Sequence, residues 1–215
     1  RKGEELNVVL LKKFMQEQQL INSVESDLHV EQFTHGFSNL TYLLRIENKE
    51  YVLRKPPIGA IKRGHDMGRE FKVQSGLETA FPKVPKMYAF SEDATILGSP
   101  FYLMEKMEGI ILNFKEAKRR KLAPKAYKTI ANLWLDTLVA LHSVDYKTIG
   151  LTDLGRPEGY VARQVTNWGK QYVKAKTDDY PEAEFVMQWM EENQPTRYDH
   201  CLIHNDYKYD NVVFK

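Results

Sequence analysis

The 215-residue chain carries 31 Lys plus Arg against 29 Asp plus Glu, and its formal charge of +2 gives no global pull toward nucleic acid. With 42% apolar and 28% charged residues it has an ordinary globular composition, and its length suits one large domain or two small ones. Cys201 is the single cysteine, which excludes an intrachain disulfide, and no uninterrupted apolar stretch suits a membrane span. Residues 1–20 lack a signal-peptide core, so a cytoplasmic-type, reducing location with no membrane partner is expected.

Leu6, Leu10 and Phe14 lie four apart, with Val9 beside them, which predicts a helix over residues 4–20. Strands are expected over residues 28–33, 40–46 and 51–54, the last stopped by Pro56-Pro57, in an antiparallel meander turning through Glu47-Asn48-Lys49-Glu50. The first connection, Thr34-His35-Gly36-Phe37-Ser38-Asn39, is small and polar. Gly36 frees the backbone, and Ser38 and Asn39 bring short side chains and N–H groups that suit phosphate. An ordinary hairpin loop reads the same way. Arg54 closes the third strand as a permanent cation, and Lys55 should point to the opposite face.

Asp66 is placed to cap a helix in which Glu70, Val73 and Leu77 follow at helical spacing, so that Glu70 can turn inward to Arg54. Two further strands, over residues 86–90 and 101–104, complete a five-stranded sheet. Glu105-Lys106-Met107-Glu108-Gly109 reads as a hinge, where main-chain groups of Glu105 and Met107 are free to read a planar base. Composition turns from strand-rich to helix-rich at this point, so residues 1–106 and 107–215 are expected to form two lobes.

The basic run over residues 115–125 reads as a solvated helix end, with a patch for acidic partners as the alternative. Pro124 opens a helix whose stripe of Ile130, Leu133, Trp134, Leu138 and Leu141 runs to His142. Further helices are expected around residues 160–172, carrying Trp168, and from Pro181, with Phe185 and Trp189 inward. Gly59-x4-Gly64 is followed by His65 rather than Lys, so no P-loop is present. Zinc spacings, a Gly-x-Ser-x-Gly elbow and a Gly-x-Gly-x-x-Gly turn are also missing.

Near the end of the chain, His204, Asp206 and Asn211 repeat the His-x-Asp-x4-Asn spacing of the protein-kinase catalytic loop. Phosphoryl transfer needs an acid that accepts a hydroxyl proton beside an amide that holds magnesium, and this stretch carries both. A polar hairpin loop is the competing reading. Taken in order, Gly36-Phe37-Ser38-Asn39-Leu40-Thr41-Tyr42, Tyr51-Val52-Leu53-Arg54, Arg69-Glu70-Phe71, Phe101-Tyr102-Leu103-Met104-Glu105 and the His204 to Asn211 stretch resemble the aminoglycoside phosphotransferase family. Arg163-Gln164-Val165 with Trp168, after Leu141-His142-Ser143-Val144-Asp145, resembles the branch of kinase-like domains fused to acyl-CoA dehydrogenases.

The resemblance implies an α+β, two-lobed protein-kinase-like fold: a small antiparallel five-stranded lobe and a mainly helical lobe that is incomplete at the C-terminus. It implies a kinase that moves the γ-phosphoryl group of ATP (or GTP), with Mg2+, to a small-molecule hydroxyl such as that of a hydroxyacyl-CoA. By the same resemblance Asp206 is the base, His204 braces its loop and Asn211 binds magnesium. Arg54, oriented by Glu70, pairs with the nucleotide phosphates under Ser38 and Asn39, and the main chain of Glu105 and Met107 holds adenine. The sequence departs from the family pattern at Asn205, where glycine is usual; asparagine is the next most tolerant of left-handed angles. It also stops at Lys215, before the family's second metal aspartate. A nucleotide-binding module without catalysis is the alternative.

Overall fold

The computed structural model of the protein describes residues 4–33, 39–57 and 66–215. Helix α1 (Val8–Glu17) begins where the Asn7 side chain accepts a hydrogen bond from the Leu10 N–H, so this cap sets the start later than residue 4. Its buried face is Leu11, Phe14 and Met15, whereas Val9 is 63% exposed. The expected stripe through Val9 is therefore corrected toward Leu11 and Met15, which face the sheet.

Five antiparallel strands follow, β1 (His29–Gln32), β2 (Leu40–Ile46), β3 (Lys49–Lys55), β4 (Met87–Ser91) and β5 (Phe101–Glu105), in the order β1-β2-β3-β5-β4. The turn between β2 and β3 is only Glu47-Asn48, shorter than expected, with φ of 50° and 60°. Two successive positive φ values match the right-handed twist of the flanking strands. The Glu47 carboxylate compensates by accepting from the Asn22 and Ser23 N–H groups and the Ser26 hydroxyl, and these bonds hold its pKa below the usual carboxylate range.

Alternation along β3 positions the site. Tyr51 and Leu53 enter a core with Leu11, Phe14, Phe101 and Leu103, under α1. Lys55 lies on that side too, and its Nζ donates to the Leu97 carbonyl of the short helix α3 (Ala94–Leu97). Burial pushes the Lys55 pKa down. Arg54 is left on the other face, over which α2 (Met67–Ala80) packs through Met67 against Met87 and Tyr102. Asp66 caps α2 by accepting from the Arg69 N–H at 2.9 Å, which puts Glu70 in the first turn.

The helical part comprises α4 (Phe114–Arg120), α5 (Pro124–His142), α6 (Tyr160–Ala175) and α7 (Pro181–Glu192). Leu77 of α2 and Phe81, the residue after that helix, pack with Leu141 of α5, and Val144, Ile149 and Leu202 join them. Gly76 admits the Ile149 carbonyl, which would lie 3.0 Å from an added Cβ, and Lys72 pairs with Asp153 at 2.6 Å. The sheet and helices are thus seated on each other through α2. Several expected inward residues need correction: Leu133, Trp168 and Trp189 are exposed, and Phe185 is 69% exposed. Periodicity identifies a helix face but not its cover, and among the described residues no element covers these.

A two-stranded ribbon of β6 (Ile110–Ile111) and β7 (Val213–Phe214) joins the segment after the hinge to the segment after the polar loop. Gly109 precedes it at φ 142°, and a Cβ there would collide with the Phe214 carbonyl oxygen and meet Val213 Cγ1 at 2.7 Å. Gly109→Ala is expected to cost about 2 kcal/mol through overpacking and backbone strain, lowering Tm by about 4–8 °C in a chain of this size. A thermal scan with an unchanged Tm would show that the ribbon yields freely. Among the described residues no helix is long and apolar enough to cross a membrane.

Candidate active site

Two polar clusters lie on the elements that α2 holds together. The first centres on Glu70. Its Oε2 is 3.5 Å from Arg54 Nη1 and accepts the Tyr102 hydroxyl at 2.8 Å, and its Oε1 accepts from Asn39 Nδ2 at 3.1 Å. Arg54 and Glu70 are 30% and 29% exposed, so water screens the pair less than a surface ion pair. Arg54 Nε is buried and unpaired, so the donors open to a ligand are those of the partly exposed remainder of the guanidinium. The carboxamide of Asn39 is buried and committed to Glu70. Ser38, with the rest of the segment from residue 34, lies outside the described residues.

The hinge follows β5 directly. The Glu105 N–H donates to the Lys86 carbonyl at 2.8 Å, and its carboxylate takes the Lys86 N–H at 3.1 Å. Lys106 pairs with Glu50 and Glu108, and Met107 is half-buried. Next to the hinge, a cleft is lined by Gly109–Ile111, Asn113 and, from α4, Lys115, Glu116, Arg119 and Arg120. There Glu116 draws in both Arg119 and Arg120 at 2.6 Å, and these bonds push its pKa down to about 2. The basic run is therefore partly neutralised within its own helix.

The second cluster is the polar loop. Asn205 sits at φ 65°, the left-handed conformation for which asparagine substitutes for glycine. Beyond it, Asn211 Nδ2 donates to Asp206 Oδ2 at 2.8 Å and to the Asp206 carbonyl at 2.9 Å. A 3-10 turn, Tyr209–Asn211, brings the two together. Lys208 Nζ lies 3.1 Å from the same carboxylate oxygen, and Asp206 is 63% exposed. Lys208 first, and Asn211 second, hold the Asp206 pKa below the usual carboxylate range. His204 lies edge-on to the Tyr207 ring at 5.4 Å.

Trp134 of α5 fixes this loop. Its ring stacks on Tyr207 at 4.5 Å and on Tyr209 at 5.3 Å, and the Tyr207 hydroxyl donates to the Trp134 carbonyl at 2.8 Å. Leu202, two residues before His204, joins the cluster with Leu77 of α2 and Phe81 at its C-terminal end. Sequence reading placed Trp134 in the α5 stripe but did not single it out for the site. The alternation of Tyr207 and Tyr209 around Lys208 was the available signal. Lys208 and Tyr102 were missed for a different reason, because their partners depend on fold and strand register.

Asp206 remains ionised well into acid, so the acid limb of any activity resting on its carboxylate lies below the ordinary range. Lys208→Met removes the main depressing group and is expected to move that limb to higher pH, while Asp206 stays ionised at neutral pH. A pH profile of kcat/KM checks this, and an acid limb that stays in place would detach Lys208 from Asp206.

Known proteins resemble this chain in sequence and in fold. A macrolide 2'-phosphotransferase type I shares the fold, with a TM-score of 0.61 and 14% identity over 95% of this chain and 66% of its own. A Ralstonia eutropha JMP134 protein, provisionally described as an aminoglycoside phosphotransferase, superposes with a TM-score of 0.82 at 31% identity, over 98% of this chain and 61% of its own. Acyl-CoA dehydrogenase family member 10 of Mus musculus is 37% identical over 184 residues, and family member 11 of Homo sapiens 35% over 192. The matches cover 85% and 88% of this chain, and only 17% and 24% of those relatives' length. The model of the phosphotransferase enzyme family matches residues 29–215. A two-lobed, kinase-like α+β fold, a family model spanning most of the chain and relatives among the acyl-CoA dehydrogenase family members agree: the chain belongs to the phosphotransferase enzyme family.

Proposed function

We propose that this chain is a small-molecule kinase domain that moves the γ-phosphoryl group of ATP (or GTP) to an alcohol. The observation that carries the proposal is the loop geometry, with the Asp206 carboxylate bonded to Asn211 at 2.8 Å beside His204, in a chain of this family. In the reaction the acceptor oxygen attacks the γ-phosphorus and the bond to the β-phosphate oxygen breaks. The hydroxyl proton passes to Asp206, and the nucleoside diphosphate leaves. Arg54, steadied by Glu70, holds phosphate oxygens through the exposed part of its guanidinium. The hinge main chain at Glu105 and Met107 receives the base, and Asn39, bonded to Glu70, anchors the start of β2.

Magnesium fits the donor set. Both Asn211 Nδ2 hydrogen bonds go to Asp206, which leaves the carboxamide oxygen as a hard ligand. Magnesium commonly takes few protein ligands and completes its shell with phosphate and water, so a cluster of three acidic or imidazole groups, absent among the described residues, is not required. Bound there, the metal would offset the charge on the phosphates.

The acyl-CoA dehydrogenase names of the relatives make a hydroxyacyl thioester the first acceptor class to test. The single cysteine, Cys201, is free and exposed, which suits a cytoplasmic, reducing setting. A nucleotide-consumption screen of the protein in its full-length setting, against hydroxyacyl thioesters and other small alcohols, tests the reading. Magnesium-dependent consumption with one acceptor class supports it. Nucleotide binding without consumption under any acceptor favours the non-catalytic alternative, which rests on Arg54 standing where a kinase keeps lysine.

A further inference from the structure

We propose that Tyr102 is a positioning residue that makes arginine, rather than lysine, the working cation of the phosphate site. The inference rests on the nucleotide reading of Arg54 above. Tyr102 and Arg54 are direct cross-strand partners in the β3–β5 register, so their side chains leave the same face of the sheet. The Tyr102 ring is fully buried, with Met67 and Met87 packed around it and Phe71 at 6.4 Å. It therefore offers a fixed surface rather than a mobile one. The Arg54 guanidinium lies over this ring at 6.0 Å, at the outer range of cation–π attraction, so the ring contact is the smaller part of the effect.

The larger part passes through Glu70. The Tyr102 hydroxyl donates to Glu70 Oε2, the same oxygen that faces Arg54 Nη1, and Gln74 Nε2 approaches that hydroxyl at 3.4 Å. Burial pushes the Tyr102 pKa up, so its hydroxyl remains a donor. Asn39 holds the other oxygen. Glu70 is thereby fixed from β5 and from the residue that precedes β2, and Arg54 meets it with one arm while Nε stays buried and unpaired. A flat, weakly hydrated guanidinium can rest on the ring, meet Glu70 and still present donors to phosphate. A lysine ammonium is a compact, strongly hydrated point charge and cannot do all three.

The experiment measures Mg·ATP affinity, kcat, KM and Tm for Tyr102→Phe, Arg54→Lys, the double variant and Arg54→Ala, in the full-length protein. Tyr102→Phe keeps the ring and removes the donor, and is expected to weaken nucleotide binding about tenfold with a smaller change in kcat, as for loss of a hydrogen bond to a charged group. Arg54→Lys is expected to weaken binding about tenfold or more alone, and by clearly less in the Tyr102→Phe background, because the two changes act through one carboxylate. Tyr102→Phe binding nucleotide as the parent does, whatever its Tm, would overturn the proposal. So would Arg54→Lys binding as the parent does, a measurement that needs no change in the core. If Arg54→Ala leaves nucleotide binding intact, the nucleotide reading itself fails; if it abolishes binding while Tyr102→Phe has no effect, only the role of Tyr102 fails.

Discussion

Replacing Asp206 by alanine is expected to lower turnover by about 10²–10⁴-fold while nucleotide affinity changes little, the range typical for loss of a general base. The side chain is exposed, so its removal leaves no cavity to destabilise the fold. Asp206→Asn refines the test, because it keeps the shape and the chance of a bond with Asn211 but cannot take the proton at neutral pH. Both variants should lose turnover alike. Full turnover in either would remove Asp206 from the chemistry, whatever the family of the chain.

The second large effect is expected from Trp134→Ala. That ring carries the stacks with Tyr207 and Tyr209 and is half-buried, and its indole nitrogen is buried without a partner. Truncating a fully buried tryptophan costs about 3–5 kcal/mol, so a half-buried one in an aromatic stack should cost about 2–3 kcal/mol. The loss should fall on the polar loop. Turnover is expected to drop about 10²-fold through misplacement of Asp206 while nucleotide affinity changes less, because Arg54 and Glu70 sit on the sheet and α2. Trp134→Phe, which keeps a stacking ring, should recover most of it. A folded Trp134→Ala variant with parental turnover would show that the stack does not position the loop.

The parts of the fold legible in the sequence are those fixed locally. Strand β2 coincides with residues 40–46, because β-branched and aromatic residues end at Glu47-Asn48, and α5 runs from Pro124 to His142 as its stripe and proline indicate. Asp66 capped its helix for the same local reason. The approach of Glu70 to Arg54 could be read because one lies on a strand end and the other a turn into a capped helix. Long-range features could not be read. Two-residue strands such as β6 and β7 exist only because distant segments meet, and α3 is a single short turn. The outward faces of Trp189 and Phe185 show the limit of periodicity, which assigns a stripe to a helix without naming what lies across from it. Tyr102 was hidden among the apolar neighbours Phe101, Leu103 and Met104, and only the β3–β5 register sets it beside Arg54.

The central claim is that the Arg54–Glu70 cluster and the Asp206–Asn211 loop serve one nucleotide. A structure of the protein with magnesium and a non-hydrolysable ATP analogue tests it most directly. The expected result is a base against the Glu105–Met107 main chain, phosphate oxygens on Arg54, and a metal between the phosphates and Asn211. A nucleotide bound elsewhere, or phosphates touching Arg54 with Asn211 left uncoordinated and Asp206 facing away, would contradict it.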